Sequence, residues 1–120
     1  MGEIIISRVY DAEPAKGAVF LVDGMWPRGV RKDDLELDGW VRDVAPSADL
    51  RRWFGHRPER FAEFRTRYRR ELDGNPDAAR PLLDAARRGP ITLLYAAKDT
   101  EHNNAVVLKD YLRDRLAASA

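Results

Sequence analysis

Two short segments of this chain gather the residue types that do chemistry. The first starts at Asp23, the last residue of the apolar run 18–23 (AVFLVD), and continues as Gly24-Met25-Trp26-Pro27-Arg28-Gly29. The second is Tyr95-Ala96-Ala97-Lys98-Asp99-Thr100, which leads into Glu101-His102-Asn103-Asn104. A carboxylate such as Asp23 can act as a general base, and an imidazole such as His102 as a general acid. Arg28 and Lys98 supply charge for an anion, Arg as a planar fork and Lys as a point charge. Trp26 and Tyr95 offer flat faces on which a ring can stack, and Asp99 and Asn103 add polar groups beside His102. If a helix starts near residue 101, its free N–H groups and dipole favour an anion at the same place.

Each of these residues also has a plainer role. Asp99 or Thr100 can simply cap that helix, leaving Asn103 and Asn104 solvated. A carboxylate that ends a buried strand accepts hydrogen bonds from loop N–H groups or from an arginine. Arg8, near the end of the first strand, is the expected partner of Asp23, in a pair that is structural or that orients Asp23 as a base. Trp26 is either a lid packed on the core or a stacking platform. Arg28 is presented by a loop that Pro27 stiffens and Gly29 shapes.

A third cluster is basic. Residues 51–70 hold eight arginines and two glutamates, a local charge of +6 in a chain of net charge +1. Arginine interleaved with Trp53, Phe54, Phe61, Phe64 and Tyr68 is what a nucleic-acid surface would use. Phe61, Phe64 and Tyr68 share one helical stripe, however, and a stripe of that kind faces the core. The run therefore reads first as a solvated helix face and second as a nucleic-acid or acidic-partner surface, with Arg65 at the border of the apolar stripe.

Composition removes whole classes of chemistry. The 120 residues contain no cysteine, which excludes disulfides, thiolate nucleophiles and thiolate metal sites. Two histidines, His56 and His102, are too few for a His-rich metal centre, and no metal is expected. With 21 basic against 20 acidic residues, the chain is not a globally charged binder. Four of the basic residues are lysine and 17 are arginine, a bias that either serves bidentate recognition or follows from GC-rich coding sequence. Ile4-Ile5-Ile6 is far shorter than a signal-peptide core or a membrane span, so a soluble cytoplasmic domain with no membrane partner is expected.

The elements that must position these residues follow from pattern. Residues 3–10, 18–23 and 91–96 read as strands, the last two as apolar runs buried on both faces. Residues 12–16, with Pro14, make a turn closed by Gly17. A short helix or turn is expected over 32–37, and Asp38 is expected to cap a further helical stretch over 39–44. Ser47 caps a helix through Phe54 that Gly55 stops. Residues 57–72 form the clearest helix, with Phe61, Phe64, Tyr68 and Leu72 on one face and Glu63 placed to pair with Arg67. Asn75 and Pro76 start the next turn, 81–88 is helical, Gly89-Pro90 ends it, and 101–117 closes the chain as a helix. The order implies one α/β domain over 1–120: a small three-layer, mostly parallel sheet with flanking helices, Rossmann-like but without a dinucleotide fingerprint. Strands 18–23 and 91–96 are expected to be parallel. In such folds ligands bind at the carboxyl ends of the strands, where both chemical segments fall.

The chain resembles the YeaO-like family, small bacterial proteins built on a domain of unknown function. Arg8-Val9-Tyr10-Asp11, Val22-Asp23 with Trp26-Pro27-Arg28-Gly29-Val30, Ala45-Pro46-Ser47 and Leu50-Arg51 with Trp53-Phe54-Gly55-His56 carry the resemblance. So do Phe64 with Tyr68 and Glu71-Leu72, and Thr92-Leu93-Leu94-Tyr95-Ala96-Ala97-Lys98-Asp99 with His102-Asn103. The resemblance covers nearly the whole chain and implies no settled activity. Where the family pattern has Arg-Leu, this chain has Gly24-Met25, so one cation near Asp23 is missing. Relatives in the broader superfamily look to carry cysteine near the positions of Tyr95 and His102; this chain does not, and thiol chemistry does not transfer.

Residue types and place together lead to one functional expectation: a small anionic ligand, a nucleotide or phosphorylated metabolite, held at the carboxyl edge by Arg8, Trp26, Arg28, Tyr95, Lys98, Asp99 and Asn103. Asp23 and His102 are the candidates for hydrolase or transferase chemistry, and whether the protein is an enzyme stays open. No Gly-rich fingerprint or Walker motif names a cofactor. The alternative is a nucleic-acid-binding or regulatory module built on residues 51–70. The sequence leaves self-association open.

Overall fold

The computed structural model describes residues 2–11 and 15–118. The expected turn at 12–16 lies largely outside the described residues. Four strands, β1 (Ile4–Arg8), β2 (Ala18–Leu21), β3 (Gly39–Trp40) and β4 (Ile91–Tyr95), form a sheet in the order β1-β4-β2-β3, and every pairing is parallel. β4 arrives late in the chain yet occupies the interior of the sheet, and all five of its residues are buried, as an unbroken apolar run requires. Its threonine hydroxyl is satisfied: Thr92 Oγ1 donates to the Lys16 carbonyl (3.0 Å) and accepts from the Lys16 N–H (3.2 Å).

The helices are α1 (Ala48–Phe54), α2 (Phe61–Gly74), α3 (Arg80–Arg88) and α4 (Asn104–Ala118). The register aligns Ile4 with Ile91 and Phe20 with Leu93, which puts their side chains on one sheet face. That face and the buried Phe64, Tyr68, Leu82, Leu108 and Leu112 of the helices make the core. This is the parallel α/β arrangement with flanking helices that the pattern implied.

β1 and β2 are shorter than the expected 3–10 and 18–23, the 32–37 stretch is a 3-10 turn over Lys32–Asp34, and three further boundaries differ for a physical reason. Asp38 caps no helix. Its N–H donates to the Val19 carbonyl (2.8 Å) and its Oδ2 accepts from the Val19 N–H (2.7 Å), so Gly39–Trp40 pairs with β2 as an edge strand. α2 begins at Phe61 after a 3-10 turn over Pro58–Arg60, because a residue before proline is steered to extended backbone, as Arg57 is here (φ −93°, ψ 110°). α4 begins at Asn104, not at 101, because residues 99–103 form a self-bonded turn. The expected α1 is present, with Ser47 Oγ accepting from the Leu50 N–H (3.2 Å) and Gly55 left-handed at φ 54°.

Candidate functional site

The carboxyl ends of β2 and β4 are laced together by Asp23. Its Oδ2 accepts from the Ala96 N–H (2.9 Å) and its Oδ1 from Asn104 Nδ2 (3.0 Å), which also donates to the Val22 carbonyl (3.3 Å). The Asp23 carbonyl accepts from Trp40 Nε1 (2.7 Å). One residue thus joins the ends of β2, β3 and β4 to the start of α4. Burial pushes the Asp23 carboxyl above its ordinary range, and the Ala96 and Asn104 donors, with Arg51 and His56 nearby, pull the other way.

Around Asp23 opens a pocket of about 420 Å³. Gly24, Met25, Trp26, Pro27 and Arg28 form one wall, and Ala96, Ala97, His102, Asn103 and Asn104 another. Pro46, Arg51, Phe54, His56 and Phe64 close the side toward α1 and α2, with Tyr10 completing the rim. A larger groove lies against Ser7, Arg8, Val19 and Leu94, but Asp34, Glu36 and Asp38 outnumber its one arginine, so its wall disfavours anions.

The residues singled out in the sequence divide. Asp23, Trp26, Arg28, His102 and Asn103 all line the pocket. Trp26 is half-buried, donates Nε1 to the Val30 carbonyl (2.7 Å) and stands edge-on to Trp40 at 5.4 Å, so it is both lid and wall. Arg28 is exposed, and its carbonyl accepts from the Tyr10 hydroxyl (2.8 Å). Arg8, Tyr95, Lys98 and Asp99 are not in the wall. Arg8 does not pair with Asp23: Nε donates to the Ala97 carbonyl (3.0 Å), and its guanidinium meets Asp11 at 3.5 Å. Tyr95 is buried among core residues and offers no face to a ligand. Lys98 is exposed.

Neither Asp99 nor Thr100 caps the helix: α4 starts at Asn104 with Asn103 as its cap, and Asp99 closes the turn before it. Oδ1 accepts from the N–H groups of Glu101 and Thr100's second neighbour His102 (2.9 Å each), and Oδ2 meets His102 Nδ1 at 2.9 Å. These N–H donors hold its carboxyl below the ordinary range. Asn103 Oδ1 accepts from the Val106 N–H (3.0 Å), and its Nδ2 donates to the Asp99 carbonyl (2.9 Å). The N–H groups of Glu101, His102 and Val106 are therefore bonded within the protein, while the His102 ring, in a T-shaped contact with Phe61 at 5.1 Å, is fixed in orientation.

Sequence reasoning missed Arg51 as a pocket residue. It is half-buried on α1, and no carboxylate among the described residues lies within ion-pair distance of it. Its Nε is buried without a hydrogen-bond partner. A Cβ at Gly24 would sit 3.3 Å from Arg51 Nη1, so the glycine leaves room for the guanidinium under the 23–26 loop. The signal was available: with Leu50 and Phe54 facing inward on a capped helix, position 51 borders the buried face. His56, at φ 57°, joins it on the pocket wall.

Comparison with known proteins is decisive for family. The family model described as the inactive DUF488-N3 subclade matches residues 3–120. The chain belongs to that family. It is similar to the uncharacterized protein YeaO of Escherichia coli (strain K12), 46% identical over 107 residues, 88% of this chain and 93% of that protein. It is also similar to the uncharacterized protein Rv3073c of Mycobacterium tuberculosis (strain ATCC 25618 / H37Rv), 41% identical over 111 residues, 92% of this chain and 93% of that protein. No solved structure matches it. Among the described residues of this DUF488-N3 chain, no helix is long and apolar enough to cross a membrane, and no three His, Asp or Glu side chains are grouped to hold a metal ion.

Proposed function

We propose that the protein binds a small anionic ligand in the pocket at the carboxyl edge of the sheet. The observation that carries this reading is Arg51, a half-buried guanidinium on the pocket wall with no carboxylate partner among the described residues and a buried, unpartnered Nε. Arg51 lines the pocket, so an anion held there gives its unpaired charge a partner. Arg28 supplies a second charge at the rim. Nucleotides and phosphorylated metabolites are the ligands that the sequence pointed to.

Binding without turnover is favoured over hydrolase or transferase chemistry. Both oxygens of Asp23 already hold the structure together, which ill suits a general base. The Asp99–His102 pair orients an imidazole, but the pocket wall contains no serine, threonine or lysine to activate. The family description, inactive, agrees with this. A thermal-shift panel of nucleotides, sugar phosphates and organic acids tests the reading. At least one class is expected to raise the melting temperature of the parent, and the shift is expected to vanish in Arg51→Met. A panel without any shift would refute it.

A further inference from the structure

Resting on that reading of the pocket, we propose that its ligand is an aromatic monocarboxylate and not a phosphate ester. The wall carries two guanidiniums, Arg28 and Arg51, against one carboxylate, Asp23. A single negative charge balances this set. A phosphate ester, at about −1.5 to −2 near pH 7, would exceed it and approach Asp23 with greater repulsion.

The supply of hydrogen-bond donors points the same way. Phosphate presents several acceptor oxygens, and its sites draw on backbone N–H groups at helix starts. Here the N–H groups of Glu101 and His102 are bonded to Asp99, and that of Val106 to Asn103. The side-chain amides of Asn103 and Asn104 donate to Asp99, Val22 and Asp23. The strongest donor left is the guanidinium, whose planar fork matches the two oxygens of a carboxylate.

Beside His56, His102 and the two asparagines, the rest of the wall is apolar or aromatic. Tyr10 (41% exposed) and Met25 (68% exposed) are the large hydrophobic side chains most open to solvent among the described residues, and both lie on this pocket. Behind them stand Trp26, Pro46, Phe54 and Phe64. Exposed apolar groups gathered at one mouth mark a surface that covers an apolar body, and 420 Å³ is room for one or two fused rings with a short acidic arm.

Calorimetric titration of the full chain tests this with matched head groups: phenylacetate and indole-3-acetate, their neutral amides, phenyl phosphate, AMP and inorganic phosphate. The carboxylates are expected to bind at least about tenfold more tightly than any phosphate, and the amides not measurably. Arg51→Met is expected to abolish carboxylate binding, and Arg51→Lys, which keeps the charge but loses the fork, to weaken it. If Arg51→Met does not fold by circular dichroism, Arg28→Ala at the exposed rim replaces it and is expected to weaken binding. Tighter binding of a phosphate probe would overturn the carboxylate assignment and leave the anion reading standing. No binding by any probe, or carboxylate binding indifferent to both arginines, would overturn both.

Discussion

Asp99 ties the approach to α4 with a single side chain, accepting two backbone N–H bonds and holding the His102 ring. Because these bonds favour its charged form, its carboxyl titrates below the ordinary value of 3.8. The stability it contributes is therefore complete above that value and is lost as pH falls through the lower, folded-state value. Asp99→Asn is expected to melt below the parent at neutral pH, with the two curves converging as melting is followed down to about pH 2. A gap that persists unchanged at the acid end would assign the effect to bond geometry instead of charge. Asp23 has the opposite sign: burial raises its value, so ionisation above the ordinary range weakens the fold, and its bonds to Ala96 and Asn104 offset that cost.

At the scale of elements, the shortest strand shows how tertiary pairing overrides a local signal. Asp38 before glycine reads as a helix cap, yet it clasps Val19 from both its backbone and its carboxylate. Asp38→Ala is expected to cost about 0.5–1.5 kcal/mol in urea unfolding and to speed hydrogen exchange at Val19. Unchanged exchange there would detach β3 from this clasp. The strands β1, β2 and β4, the capped α1 and the stripe of α2 were all legible, since period, apolar runs and Ser47–Gly55 punctuation are local. The start of α4 was not, because Asp99 and Asn103 close a turn whose bonds no spacing rule reveals. The placement of Asp23, Trp26, Arg28, His102 and Asn103 around one pocket followed from the edge-of-sheet rule. Arg51 was hidden in an arginine run, because charge counting ignores which side of a short helix each arginine occupies.

Across the whole molecule, the +6 segment is far less available than its sum implies. Arg65 and Arg69 of α2 meet Asp110 and Asp114 of α4 at 3.1 and 2.8 Å, Arg67 meets Glu63 at 2.8 Å, and Arg52 meets Asp49. Arg60 donates to the Trp53 carbonyl, and Trp53 lies beneath both Arg60 and Arg67. A labelled single-stranded oligonucleotide is accordingly expected to show no saturable anisotropy change at physiological salt. Saturable binding that weakens steeply with salt, and disappears in the triple reversal of Arg60, Arg67 and Arg70 to Glu, would restore the nucleic-acid alternative.

The position of β4 has a consequence for how the protein comes into being. β1 and β2 do not pair with each other; each pairs with β4, as Ile4 and Ala18 do with Ile91. A growing chain therefore carries β1 without any partner, and β2 without its inner one, until β4 is made, and closing so long a loop is slow. The pocket waits with them, since Ala96 and Asn104 follow β4. Until residues 91–104 are made, β1 has no strand to pair with, the sheet can hold no more than β2 and β3, and the apolar Ile4-Ile5-Ile6 stays uncovered.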